Sequence, residues 1–254
     1  MCRTLIGKEL RDIKWKLFVA FLVLVASIVL MIILHERLLE LLPADMSEIP
    51  FFISPDMFNN FRDFTNAMWS NLNDQNLPQI GSLLAIILGI GLLAPEIESG
   101  TITLLLTNGI SRKRVFWTKS ILAVGALILL LVVVGILVVP LSSAFGYSLR
   151  HFRIIPATLV AALGIAFVFS VSLLISLILK ERIWSGIVSA VVFALWSILG
   201  FWEATRVFSP FYHMRARDYF YGDANFPWLA VVGFIAATIA VLLVAERRFA
   251  REEL

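Results

Sequence analysis

The chain has 254 residues, 60% hydrophobic and only 15% charged, with a formal net charge of +3 and a mean hydropathy of +0.91. Soluble domains carry roughly a quarter charged residues, so this composition excludes a soluble globular protein and points to an integral membrane protein. The single cysteine, Cys2, excludes an internal disulfide.

Thr4–Lys16 places Leu5, Ile6, Leu10, Ile13 and Leu17 at helical spacing, with Lys8, Glu9, Arg11, Asp12 and Lys16 on the wetter side. The pattern predicts an amphipathic helix over 3–16 that lies in the inner membrane interface, with Trp15 at headgroup depth. Charge-free runs are then read against the need for about 20 apolar residues per span. Leu17–Leu34 is too long for a cleavable signal and lacks a small-residue cleavage site, so 17–34 is expected to be a retained span. The segment 35–76 is expected outside the core of the membrane. Within it Met57, Phe61, Phe64, Met68 and Leu72 recur at helical spacing, which predicts an amphipathic helix at the outer leaflet. Phe58, Phe61, Phe64 and Met68 are the candidates for an external gate.

Ile80–Ala94 reaches span length only with Leu77–Gln79, which gives a second span over 77–95. Its Gly81, Ala85 and Gly89 form a small-residue face suited to close helix packing. Ile121–Leu149 is expected to leave the membrane near Pro140, so the third span is 120–140. Ile154–Leu179, Ile183–Trp202 and Pro227–Ala245 predict spans over 155–179, 183–202 and 227–246. Gly186, Ala190 and Ala194 make a second small-residue face. The hydroxyls of Ser170, Ser172, Ser176, Ser185, Ser189 and Ser197 are expected to hydrogen-bond between helices. Segment 203–226 mixes aromatics with Arg206, Arg215 and Arg217, the pattern of an outer aromatic belt. With 35–76 it is expected to cap the outer end of a pathway. The fold class is therefore all-α, a single polytopic domain over 1–254 with six transmembrane helices.

Orientation follows from Lys and Arg. With both termini inside, two thirds of the 21 basic residues fall on inner segments, and only Arg150 and Arg153 cluster against the bias. Both termini are expected in the cytoplasm, in a multi-pass protein of the cell membrane.

The search for chemistry is negative. There is no GxxxxGK[ST] phosphate loop, no HExxH, and the three histidines (His35, His151, His213) fall in or beside outer loops. No Asp, Glu, Lys or Arg lies inside the assigned spans, whereas ion-driven transporters keep such charges at membrane depth. These absences argue against an intramembrane hydrolase and against an ion-coupled carrier. No cofactor is expected on this chain.

One stretch remains unexplained, the inner loop 96–119, EIESGTITLLLTNGISRKRVFWTK. It exposes Ile102, Leu104, Leu105 and Leu106 to water, and such a patch marks a docking surface. Gly100 permits a sharp turn out of the second span. Glu96 and Glu98 are placed to pair with Arg112 or Arg114, and the Arg112–Lys119 cluster to hold the third span at an anionic surface. Asn108-Gly109 ends the short helix.

Glu98-Ser99-Gly100-Thr101, then Leu104-Leu105, then Ser111-Arg112 and Lys119, resembles the Glu, Gly-Thr, Leu-Leu, Ser-Arg and Lys pattern of ABC-2 type permeases. These are the membrane subunits of ATP-binding-cassette transporters, mostly exporters. The resemblance covers the whole architecture, including the N-terminal helix and the position of the loop. One departure is Asn108-Gly109-Ile110, where many relatives carry Pro before the Ser-Arg pair; a glycine stop can replace it. The resemblance implies a six-span permease that pairs with a second copy or a sister permease. It also implies two cytosolic ATPase subunits, which hold the ATP and Mg, and export of a hydrophobic or amphiphilic compound such as a peptide, lipid, drug or antibiotic. Glu96, Glu98, Gly100, Thr101, Ile102, Leu105, Leu106, Arg112 and Lys119 would then form the coupling helix and its supports. Leu105 and Leu106 would fill the ATPase groove, with no catalytic residue on this chain. The rival reading is a non-transporting subunit of a membrane assembly or sensor complex.

Overall fold

A computed structural model describes residues 2–40, 61–100 and 111–251, the side chains of residues 2–6 and 8 excepted. The described residues are helical, with no strand among them, and six helical segments are long and apolar enough to cross a membrane: Glu9–Glu40, Phe64–Glu98, Arg112–Ala144, Ile154–Leu179, Arg182–Phe201 and Trp228–Ala250. The six expected spans correspond to these in order.

The first helix, α1, runs without interruption over Cys2–Glu40. At 1.5 Å per residue its 39 residues extend about 58 Å, well beyond the roughly 30 Å of a hydrocarbon core. The helix expected over 3–16 is thus joined to the first span. No Gly or Pro occurs between Lys8 and Glu40 to break it. Its buried stripe is Glu9, Ile13, Ala20, Leu24, Ile28, Met31 and His35, so Glu9 lies on the inward face and not on the wetter side.

The second span begins earlier than its apolar run. Helix α2 (Phe64–Trp69) is capped by the Asp63 carboxylate, which accepts from the Asn66 amide at 3.0 Å. It continues through wider, π-helical turns over Ser70–Gly81 and then α3 (Ser82–Ile90). Pro78 sits inside the widened stretch, where a residue without an N–H is accommodated by the altered ladder. Much of what was expected as an outer amphipathic segment before residue 77 is therefore packed helix. Trp69, Leu72 and Met68 are buried. After a break at residues 91–93, α4 (Ala94–Glu98) starts with Pro95 in its first turn.

The third to sixth spans are α5 (Arg112–Ala144), α6 (Ile154–Leu179), α7 (Arg182–Ile198, prolonged by a 3-10 turn) and α10 (Trp228–Ala250). Two short helices, α8 (Pro210–Arg215) and α9 (Arg217–Tyr221), lie between α7 and α10.

The core centres on α6, the most buried of the spans. Close approach explains this. A Cβ on Gly89 would fall 2.8 Å from the Phe169 carbonyl oxygen and 2.9 Å from Ser172 Cβ. One on Gly81 would meet Ile165 Cδ1 at 2.6 Å. The face of Gly81, Ala85 and Gly89 is a packing face, as expected. The second face is not packed within the chain: Gly186 approaches Ile90, but Ala190 and Ala194 are exposed. The inward stripe of α7 is Ser185, Ser189 and Phe193. The serines of α6 also differ from expectation. Ser170, Ser172 and Ser176 donate back to the carbonyls of Phe167, Val168 and Leu173 at 2.8 to 2.9 Å. A hydroxyl satisfied within its own helix leaves a small surface for the neighbour.

At the end of the bundle away from residues 94–100, Thr158 ties three spans together. Asn73 donates to its Oγ1 at 3.2 Å, and that hydroxyl donates to the Ile154 carbonyl at 2.8 Å. A Cβ on Gly135 would lie 2.7 Å from Thr158 Cγ2. The aromatics from Trp202 onward divide in burial. Trp202 and Phe208 are exposed. Phe211 and Phe220 are buried in protein, with Phe220 stacked on Trp69 at 4.9 Å. Arg215 pairs with Asp74 at 3.1 Å.

Candidate functional site

The end of the bundle beside the loop between the second and third spans holds a buried ion cluster. Lys119, in the second turn of α5, places its Nζ 2.7 Å from Glu9 Oε1 of α1 and 2.8 Å from Glu96 Oε2 of α4. The same Nζ donates to the Leu92 carbonyl at 3.4 Å. An ammonium has three donors and no acceptor, and here three acceptors surround it. Its side chain is 1% exposed, with Glu9 at 6% and Glu96 at 15%. A charge buried to that degree requires both opposite charge and hydrogen bonds. The cluster supplies two carboxylates as the opposite charge and the Leu92 carbonyl as the hydrogen-bond acceptor.

Each group reaches the site for a local reason. The Ser111 hydroxyl caps α5, accepting from the Arg114 amide at 3.4 Å, and Lys119 lies on that helix's buried stripe with Val115, Phe116, Ser120 and Ala123. Leu92 is in the break between α3 and α4, where its carbonyl lies outside the regular helical stretches. Glu96 stands in the first turn of α4, where a carboxylate also suits the helix dipole. Glu9 arrives on the buried stripe of α1.

Two sequence expectations change. Glu96 pairs with Lys119, a partner not expected for it, because the helix break at 91–93 turns α4 toward the base of α5. Lys119 is no lipid-facing anchor but the centre of the cluster. Glu98 is exposed and borders a groove of about 470 Å³ with Glu181, Arg182 and Gly186. Gly100 has φ +69°, with open space where a Cβ would stand, so it ends α4 in the left-handed conformation that glycine adopts without strain. Arg112 opens α5, half-buried. Thr101, Ile102, Leu105 and Leu106 lie outside the described residues, as does Phe58.

Of the outer candidates, Met68 is fully buried in the core. Phe61 and Phe64 gather around His35 with Tyr147: Phe64 stacks on Tyr147 at 4.1 Å, and His35 meets Phe64 edge-on at 5.2 Å. His35 is 2% exposed.

Glu9 was missed as a site residue, yet a signal existed. Projecting the inward stripe of the first span back in steps of three to four, through Leu24, Ala20 and Ile13, arrives at Glu9. The Leu92 carbonyl had no such signal.

Against known protein families, residues 3–208 match the ABC-2 family transporter protein family. The chain belongs to this family. No curated protein and no solved structure matches it significantly. As an ABC-2 family member with six apolar helices, it is a multi-pass membrane protein and the permease subunit of an ABC transporter. Membership implies partnership with an ABC ATPase subunit. The match ends at residue 208, so it takes in the whole ion cluster and the loop, but not α8, α9 and the sixth span.

Proposed function

We propose that this ABC-2 permease exports a hydrophobic or amphiphilic compound, driven by two cytosolic ATPase subunits that hold ATP and Mg and dock on the loop around Ile102, Leu105 and Leu106. A second permease copy or a sister permease completes the pathway, and both termini face the cytoplasm. The observation that carries this reading is the cluster of Glu9, Lys119 and Glu96. It joins α1, α4 and α5 at both borders of the loop. Force applied to that loop therefore reaches the first, second and third spans through one buried contact.

The substrate class is supported by a cavity of about 460 Å³ between the fourth, fifth and sixth spans. Phe167, Trp196, Phe208 and Phe234 line it, and His213 supplies its one ionisable side chain among the described residues. Such a lining accepts apolar chains and rejects hydrated ions.

The test is purification from the native membrane, followed by reconstitution. Wild-type permease is expected to bring its ATPase with it, and an amphiphile is expected to stimulate ATP turnover. Leu105→Asp together with Leu106→Asp is expected to lower ATPase association at least tenfold, since two buried carboxylates without partners are strongly disfavoured. Unchanged association in that variant refutes the docking role. Association without any stimulation by a panel of amphiphiles refutes the transport role and favours an assembly subunit.

A further inference from the structure

A second site lies at the same end of the third span but on its outward face. Ser111, Lys113, Arg114, Trp117, Thr118, Ile121 and Leu122 border an open groove of about 540 Å³, within the size range of ligand sites. The residues are layered along the axis of α5. Lys113 and Arg114 occupy the first turn, both exposed. Trp117 and Thr118 form the second, and Ile121 and Leu122 the third. From Arg114 to Leu122 the rise is about 12 Å.

The layering decides the kind of occupant. Ile121 is 63% exposed and opens the charge-free run of the span, so the lower groove faces hydrocarbon. A soluble protein cannot reach it. The upper groove is cationic: Arg114 has no carboxylate within ion-pair distance among the described residues. Among the described residues Lys113 pairs with Glu246 alone, at 3.8 Å and with its own side chain 70% exposed, and such a pair is weak. A ligand that fits must be anionic at one end and apolar at the other. Trp117 stands between, at the depth where an amphipathic ring is stable.

We propose that this groove binds the headgroup and upper acyl chain of an anionic membrane phospholipid. The phosphate sits between Lys113 and Arg114, within reach of the Thr118 hydroxyl. The acyl chain lies along Trp117, Ile121 and Leu122. The site is separate from the Lys119 cluster, which faces inward from the same helix, and does not depend on the export reading.

The experiment measures lipid retention by native mass spectrometry of the full chain, purified in detergent with phosphatidylglycerol or phosphatidylcholine. Wild type is expected to retain phosphatidylglycerol in preference. Lys113→Gln with Arg114→Gln is expected to weaken that retention roughly tenfold or more, from two charges at an anionic headgroup. Arg247→Gln with Arg248→Gln, at the inner end of the sixth span, is expected to leave it unchanged. Equal loss in both double variants overturns the proposal in favour of diffuse surface charge. Undiminished retention in the first double variant, or loss of ATPase association without loss of lipid, also overturns it. Should the double variant fail to fold, a photoreactive phosphatidylglycerol analogue answers on wild type alone. Crosslinks within 111–122 are expected, and crosslinks confined to other segments overturn the site.

Discussion

Replacing Lys119 by Met tests the ion cluster most directly. The substitution keeps the volume of the stem and removes the charge, leaving Glu9 and Glu96 buried beside each other. Removing one member of a buried ion pair typically costs about 3–5 kcal/mol. A carboxylate limits that loss by taking up a proton, which for an ordinary glutamate at pH 7 costs about 3.7 kcal/mol. The two routes agree on about 4 kcal/mol. For a chain of this size each kcal/mol shifts the melting temperature by roughly 2–4 °C, so the variant is expected to melt about 10 °C below wild type in detergent. Glu9→Gln leaves one carboxylate on the ammonium and is expected to cost about 1 kcal/mol. Lys119→Met combined with Glu9→Gln and Glu96→Gln removes every charge and is expected to recover most of the loss, because a neutral replacement of a buried ionic group is often well tolerated. A Lys119→Met protein that melts with wild type, or a triple variant no better than the single one, would refute the reasoning.

Three further outcomes are expected. Gly89→Ala forces a methyl within 2.8 Å of a backbone oxygen and should cost about 1–3 kcal/mol, whereas Gly125→Ala meets nothing within 4 Å and should not destabilise; thermal melts with the same loss in both would refute the packing account. Burial first, then the Arg150 and Arg153 charges, hold the His151 imidazole below its ordinary value, against an opposing pull from Asp63. A depressed histidine contributes stability that is present above its unfolded value of about 6.5 and is lost as the pH falls through its folded value; the advantage of wild type over His151→Phe should therefore shrink on acidification from about pH 7.5 to about pH 5, and a constant difference would exclude it. Ala26→Pro breaks α1 between its two ends at an exposed position and should lower substrate-stimulated ATP turnover while ATPase association survives; unchanged stimulation would show that α1 does not transmit.

How much was legible in the sequence differs by kind of residue. The six spans were readable because bilayer thickness sets a length that charge-free runs either meet or miss. The Gly81, Ala85 and Gly89 face was readable because small residues recurring every four positions have one use in a tightly packed helix. Gly100 was readable as a turn from its residue type alone. What failed were judgements about which face a charge occupies. Glu9 was assigned to water because charged residues usually are solvated, and Lys119 to the lipid surface because it closes a basic run. Both assignments needed the packing of one helix against another: Lys119 is held inward by Glu9 and Glu96 from two other elements, which the basic run around it does not reveal. The extent of the second span was missed for a related reason. Asn71, Asn73, Asp74 and Asn76 read as loop, yet Asn73 is paired with Thr158, Asn76 with the Asn71 carbonyl at 2.6 Å, and Asp74 with Arg215.

The two ends of α1 bear on how such a permease could couple its faces. Glu9 and His35 lie on one buried stripe of a single helix, about 39 Å apart by helical rise. One meets the ion cluster beside the loop; the other meets the aromatic cluster of Phe61, Phe64 and Tyr147. A helix without Gly or Pro between those residues bends little, so a displacement imposed on Glu9 is delivered at His35 as translation or rotation and not absorbed on the way. Interdigitated cores shift between discrete packings in preference to deforming continuously. The aromatic cluster has the form of such an element: Phe64 stacks on Tyr147 at 4.1 Å and His35 meets both edge-on at 5.2 and 5.9 Å, ring contacts whose rearrangement separates no ion pair. The ion cluster has the opposite character, because any separation of Lys119 from its carboxylates exposes an unpaired buried charge. The two ends of α1 thus differ in kind: a charged joint beside the loop that resists separation, and an aromatic contact at the far end that can exchange between packings.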